Sequence, residues 1–295
     1  MSGLATNSIS LPKSDRSQAP LRSSAAPAIR HGAWRRWLLI TLVLGYAGFL
    51  IIAPLVGLAV GAFSEGLGAM IEVLSQPDVL ASFWRTLWIS LFVVIIHAIF
   101  GTIVAWVMVR DRFPGRELLN GLIDMPFAVS PVVVGYMLLL LFGRNGLLGP
   151  VLNTLDIKIA FAIPGVILAT LFVTLPFMIR ELIPVLEAFG VKQEQASATL
   201  GASGMQTFWW VTFPALRWGF VYGVILTFAR ALGEFGAVLV IGGGLQGSTQ
   251  TSTIYIFHAL EERQYVGAYS AALVLGIFSL ILVMGTDLLR RKNEY

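Results

Sequence analysis

The sequence predicts an all-α integral membrane protein, and three observations carry that reading. Of 295 residues, 57% are hydrophobic and only 12% charged, whereas a soluble domain carries about 25% charge. Mean hydropathy is +0.81. Six apolar stretches each supply the roughly 20 residues needed to cross about 30 Å of hydrocarbon. The bilayer admits helices or closed barrels, and these runs are too long and continuous for the ~10-residue alternating strands of a barrel.

The six spans fall near Trp37–Phe63, Thr86–Val109, Leu118–Phe142, Phe161–Leu186, Trp218–Gly242 and Val266–Leu289. Residues 1–36 are rich in Ser, Ala and Pro, carry six Lys or Arg and show no apolar periodicity, which predicts a disordered tail. A signal peptide is the competing reading, but its apolar region runs only ~7–15 residues. Residues 37–289 form the membrane domain, and 290–295 a short C-terminal end. Fifteen Lys and Arg lie on the side of both termini and the second and fourth connections; Arg85, Arg144, Lys158 and Arg263 lie on the other, and Arg230 is inside a span. The positive-inside rule then puts both termini in the cytoplasm. Most tryptophans sit near span ends, as amphipathic indoles do. Gly57/Gly61 and Gly219/Gly223 have the spacing of close helix packing.

The absence of cysteine excludes disulfides, thiolate metal sites and cysteine nucleophiles. A pI near 9.6 does not imply nucleic acid, because the basic residues lie between apolar runs and not on one solvated face.

The fourth connection, about Glu187–Arg217, reads as folded. Lys192–Leu200 predicts a short helix, and Gly201 stands where a helix ends in the left-handed conformation. Ser203-Gly204-Met205-Gln206 has the spacing of a capping box and starts a second helix carrying Phe208, Trp209 and Val211, with Pro214 closing it. This helix–turn–helix knuckle, with small residues Ala196, Ser197, Ala198 and Gly201, suits docking by another protein. Phe208 and Trp209 equally suit an interfacial helix lying on lipid headgroups.

Gln195-Ala196-Ser197-x-x-x-Gly201, followed after nine residues by Val211-x-Phe213-Pro214, resembles the EAA loop of bacterial ABC-importer permeases. The family pattern has Glu where this chain has Gln195, with Glu194 one place earlier, and Ser197 replaces the second Ala. Pro126–Gly135, Phe172–Phe177 with Arg180–Pro184, and Ala229–Ala237 resemble the sulfate/molybdate branch, most closely its W-type sulfate/thiosulfate permease subunits. The resemblance implies a six-helix bundle of the type I ABC importer permease (MetI/ModB-like) class in the bacterial inner membrane. It implies three partners: a second, related permease (CysT-like), an ATPase dimer (CysA-like) and a periplasmic sulfate-binding protein. The coupling loop would dock on the ATPase through Glu194, Gln195, Ala196, Ser197, Leu200, Gly201, Ala202, Ser203, Gly204, Phe208 and Pro214. No cofactor is implied for this chain, with ATP and Mg on the partner ATPase.

Arg230 and Glu234 fall near the middle of the fifth predicted span, four residues apart on one face. They form either a buried ion pair or a site on the translocation path, where Arg230 attracts a divalent oxyanion and Glu234 moderates it. His97 reads as a neutral imidazole bonded to a backbone carbonyl, and Asp124 as a partner for amides freed around Pro126. Arg180 and Glu181 read as snorkelling toward the interface. Gly242-Gly243-Gly244 and Gly247 predict a flexible outer loop or an anion-binding nest. No Lys-Ser or Lys-Thr follows them, so they are not a Walker A loop.

Three functions compete. A non-catalytic permease subunit for sulfate or thiosulfate fits the six spans and the knuckle. The same transporter with molybdate, tungstate or phosphate as cargo fits equally, since the discrimination rests elsewhere. An intramembrane serine protease has one foothold, Gly201-Ala202-Ser203-Gly204. It fails on placement, because Ser203 lies in the connection and His258 on the opposite side.

Overall fold

The computed structural model describes residues 33–293, and every regular element among them is helical. The predicted tail therefore lies outside the described residues except for its last four positions, which begin the first helix. The chain divides into two units, Met1–Ile51 and Ile52–Tyr295. In the first, the described residues form the leading part of α1 (Ala33–Ala62), whose trailing part opens the second.

The second unit continues with α2 (Gly66–Leu74), α3 (Pro77–Ile96), a wide π-turn at His97–Gly101, α4 (Thr102–Arg110), α5 (Arg116–Ala128), α6 (Pro131–Phe142) and α7 (Gly149–Thr154). There follow α8 (Ile163–Phe189), α9 (Lys192–Thr199), α10 (Gly204–Thr207), a second π-turn at Phe208–Thr212, α11 (Phe213–Leu232), α12 (Gly236–Gly242), α13 (Ser252–Glu261) and α14 (Tyr265–Asn293). Among the described residues five helical stretches have the length and composition to cross a membrane: Arg36–Ala62, Pro77–Arg110, Ile163–Phe189, Gly204–Leu232 and Tyr265–Gly285. The pair α5 and α6 makes a sixth if its two arms are counted as one span.

Four boundaries differ from the sequence expectation. The second span begins at Pro77, nine residues before the expected Thr86. The span expected over Leu118–Phe142 is two helices bent by 115°. Pro131 restricts Ser130 to extended backbone (φ −59°, ψ 137°), and Val129 is extended as well, so the helix cannot run through. The fifth span starts at Gly204 and ends at Leu232, so Pro214 does not close the preceding helix. It occupies the first turn of α11, after a π-turn that moves the preceding carbonyls off the proline ring. Gly236–Gly242 is a separate short helix, and Glu234 consequently lies in a break and not within a span.

Helix α8 is the axis of the unit. One apolar core packs Val166, Ala169 and Val173 of α8 against Ile89 and Val93 of α3, Val134 of α6 and Ala237, Val238 and Ile241 of α12. A second packs Met178, Ile179, Leu182 and Leu186 of α8 against Ala105 and Met108 of α4, Ile123 of α5 and Leu216 of α11. Met178 is fully buried where three spans meet. A Cβ on Gly223 of α11 would lie 2.7 Å from its sulfur, and one on Gly101 would lie 3.0 Å from its Cγ. Small residues let the backbones approach, which is how helices associate in lipid.

His97, at the start of the first π-turn, places Nε2 3.1 Å from the Leu171 carbonyl and 3.0 Å from Thr174 Oγ1 on α8. The glycine stretch after α12 is a loop, and its first two turn glycines are packed against other elements. Gly243 and Gly244 are left-handed, but added Cβ atoms would meet Phe161 at 2.6 Å and Ile254 at 2.9 Å. Thr249, Gln250, Thr251 and Ser252 behind them are buried, with Thr249 Oγ1 donating to the Gly242 carbonyl at 2.6 Å.

Candidate functional site

The knuckle between α8 and α11 is built by two consecutive capping motifs. At the end of α9, Gly201 takes φ +87°. Its amide donates to Ala198 O at 3.0 Å, and Ala202 N donates to Ser197 O at 3.2 Å. These two bonds make a Schellman turn, which requires a left-handed residue at Gly201. Two residues later the capping box closes: Ser203 N donates to Gln206 Oε1 at 2.8 Å, and Gln206 N to Ser203 Oγ at 3.4 Å. A hydroxyl contact of 3.0 Å between Ser197 and Thr207 braces the two short helices against each other.

Side chains divide between an exposed tip and a buried root. Leu200 is 89% exposed and Met205 68%, and Gln195, Ala196, Ala198, Gly201, Ser203 and Gly204 are exposed around them, with Ala202 half-buried. Ser197, read from sequence as one of the small docking residues, faces inward to Thr207 instead. Phe208 is also turned inward: its ring lies 5.6 Å from Trp106 of α4 and 6.1 Å from Phe213, so it anchors the knuckle to protein rather than to headgroups. Pro214 is exposed at the start of α11.

Glu194 belongs to the root. Its carboxylate takes a two-pronged contact from Arg110, Nε to Oε2 and Nη2 to Oε1, both at 3.0 Å. Thr212 Oγ1 donates to the same Oε1 at 3.1 Å. Arg110 also donates to Gly190 O at 2.7 Å and Leu186 O at 3.3 Å, and its guanidinium carbon lies 5.7 Å from the Trp106 ring. The two side chains are 10% and 13% exposed. Arg110 and Thr212 carry no signal in the sequence, because their partner lies 84 and 18 residues away.

Two further charge pairs lie elsewhere among the described residues. Arg230 Nη2 stands 2.9 Å from Glu234 Oε2; Glu234 is 2% exposed and Arg230 30%. Glu234 Oε1 accepts from Ala237 N at 3.1 Å, so the carboxylate also satisfies a free amide at the start of α12. Arg180 does not snorkel. It crosses to α5, donating from Nε and Nη2 to Asp124 at 2.7 and 2.6 Å and from Nη2 to Asn120 Oδ1 at 2.8 Å. Asp124 accordingly serves Arg180 and not the amides near Pro126. One turn along the same two faces, Phe127 and Phe177 meet edge to face with centroids 5.4 Å apart. No cluster of three or more metal-ligating side chains occurs among the described residues.

Known proteins share this architecture. Residues 97–294 match the family described as binding-protein-dependent transport system inner membrane component. The sulfate transport system permease protein CysW of Synechococcus elongatus is 47% identical over 255 residues, covering 86% of this chain and 89% of that protein. Its Escherichia coli K12 namesake is 41% identical over 261 residues, covering 88% and 90%, and CysT from the same strain is 37% identical over 256, covering 85% and 92%. Among solved structures, a bacterial alginate ABC transporter in complex with a pentasaccharide-bound periplasmic protein superposes with a TM-score of 0.71 at 16% identity, over 88% of this chain and 96% of that one. That likeness shows the fold. With the family matched over two thirds of the chain and full-length relatives on either side of it, this protein is a member of the binding-protein-dependent transport system inner membrane components, the permeases of ABC transporters.

Proposed function

We propose that the chain forms half of the translocation path of an ATP-driven importer of sulfate and thiosulfate, paired with a second permease subunit. The knuckle engages a separate ATPase dimer, which holds the ATP and Mg. A periplasmic binding protein delivers the anion on the opposite face. The single observation that carries this reading is the knuckle itself. A connection that only joined two spans would need neither a Schellman turn nor a capping box, and would not hold Leu200 and Met205 outward on a braced frame. An exposed apolar tip on a rigid support is what a docking partner requires. The relatives named as sulfate permeases supply the substrate class. The Lys and Arg asymmetry supports a cytoplasmic placement of the knuckle and both termini in a bacterial inner membrane.

The test is reconstitution in proteoliposomes with partner permease, ATPase and binding protein. Sulfate must stimulate ATP hydrolysis and accumulate in the lumen. Gly201→Asp, which forces a side chain into the left-handed turn, must lower sulfate accumulated per ATP hydrolysed. Normal coupling in that variant, or accumulation by this chain with no ATPase present, refutes the reading.

A further inference from the structure

The end of α4 meets three later and successive segments at the Arg110–Glu194 pair: the end of α8, the start of α9 and the π-turn before α11. Arg110 is the last residue of α4. Its Nη1 and Nη2 donate to Leu186 O and Gly190 O at the end of α8, where a cation is favoured by the helix dipole. Its Nε and Nη2 hold Glu194 in the first turn of α9. Glu194 passes the contact on to Thr212, in the π-turn that leads into α11. Nη1 and Nη2 donate to three acceptors while Nε stands 3.0 Å from the second carboxylate oxygen, an arrangement that the compact ammonium of a lysine cannot reproduce.

The carboxylate is thereby turned away from the exposed tip, leaving Gln195 on the outer side. An acid buried against its own chain does not meet a partner. What it does is fix the knuckle's orientation relative to α4, α8 and α11. The edge-to-face contact of Trp106 with Phe208 and the tilted contact of Phe208 with Phe213 join α4 to the π-turn and the start of α11.

We infer that Arg110 is a positioning residue for transport: through its fork on Glu194 it fuses the knuckle to the ends of α4 and α8 and the start of α11, so that a push on the tip moves the spans as one body. Without it, the push is absorbed by bending at Gly190-Val191, the short non-helical joint before α9. This inference rests on the functional reading above, because it presumes a partner that pushes.

The natural absence of cysteine allows a clean test. Arg110→Cys/Glu194→Cys is assembled with the partner permease, ATPase and binding protein, and sulfate accumulated per ATP hydrolysed is measured before and after treatment with a bifunctional thiol cross-linker. Before treatment the ratio falls about three- to thirtyfold, the range in which coupling residues act. After cross-linking it recovers, because a covalent tie replaces the ionic one. Glu194→Gln and Arg110→Lys, which preserve most of the packing, lower the same ratio by smaller factors. An unchanged ratio in the untreated double variant, a cross-link that restores nothing, or failure of all these variants to assemble with the ATPase would overturn the inference, the last by showing the pair to be structural. A wild-type complex that accumulates no anion refutes the functional reading itself. A wild-type complex that works beside variants of unchanged ratio refutes only the positioning role.

Discussion

Met178 gives the sharpest test of how the spans are held together. Its side chain is clasped between Gly101 and Gly223, with the sulfur 2.7 Å from where a Cβ on Gly223 would lie and Cγ 3.0 Å from where a Cβ on Gly101 would lie. A methionine facing one added methyl normally swings aside, but here the opposite wall blocks the swing. Gly223→Ala should therefore carry an overpacking cost of about 1–3 kcal/mol. Met178→Ala alone removes the contacts of three heavy atoms from a fully buried site, a loss of about 2–5 kcal/mol in the range measured for large-to-small core substitutions. In lipid the transfer component is weak, so the lower end of that range is expected. The double variant is the decisive measurement. Alanine at 178 opens the space that alanine at 223 needs, so the two costs must not add; the coupling should be at least about 1 kcal/mol in the sparing direction. Thermal unfolding of the purified chain in lipid nanodiscs, followed by tryptophan fluorescence, reads all four corners of the cycle. Additive losses would mean that Gly223 and Met178 do not compete for one volume, and the close crossing of α8 and α11 would be wrong.

Three other outcomes follow from the geometry. Ser203→Ala removes the capping box and should cost the second short helix about 0.5–2 kcal/mol, read as faster amide hydrogen exchange over residues 204–207 with the exchange of α8 unchanged. Arg230→Ala leaves the Glu234 carboxyl group 2% exposed with no counter-charge, a loss of about 3–5 kcal/mol. Adding Glu234→Gln should recover much of it, since a neutral amide oxygen still accepts from Ala237 N; thermal stability of the single and double variants decides the matter. Asp124→Asn removes the charge from the half-exposed pair that ties α5 to α8, at about 0.2–1 kcal/mol for an exposed ion pair, and hydrogen exchange across α5 should rise while α6, beyond the bend, is unaffected.

The features legible in the sequence are those governed by local rules. Hydropathy located the long apolar helices because a span is defined by its own twenty-odd residues. The knuckle was legible to the residue at Gly201, Ser203 and Gln206, because capping motifs are read within five positions of chain. Ser197, Phe208 and Pro214 were assigned to the right segment but with the wrong exposure or role. Whether a small residue faces outward, or a proline ends a helix, depended on Thr207, Trp106 and a π-turn that no local pattern announces. The charge pairs divide in the same way. Arg230 and Glu234 are four apart and visible as a pair, whereas Arg110 with Glu194 and Arg180 with Asp124 are 84 and 56 residues apart. Thr249–Thr251 form a loop, as their polar composition suggests, but the burial of Thr249–Ser252 rests on distant bonds to Gly242 and Thr86 that no local pattern shows.

The continuity of helix from Gly204 to Leu232 has a mechanical consequence. At 1.5 Å per residue its 29 residues make a strut of roughly 40 Å. One end is seated beside the Glu194 carboxylate through Thr212, and the other stops two residues short of Glu234. Past the π-turn at Phe208–Thr212 the strut is unbroken α-helix, and along that length it transmits axial thrust. A nudge received at the knuckle would reach the interrupted backbone at Gly233–Phe235 as displacement of Arg230 relative to its counter-ion, linking the exposed tip to the buried Glu234 carboxylate.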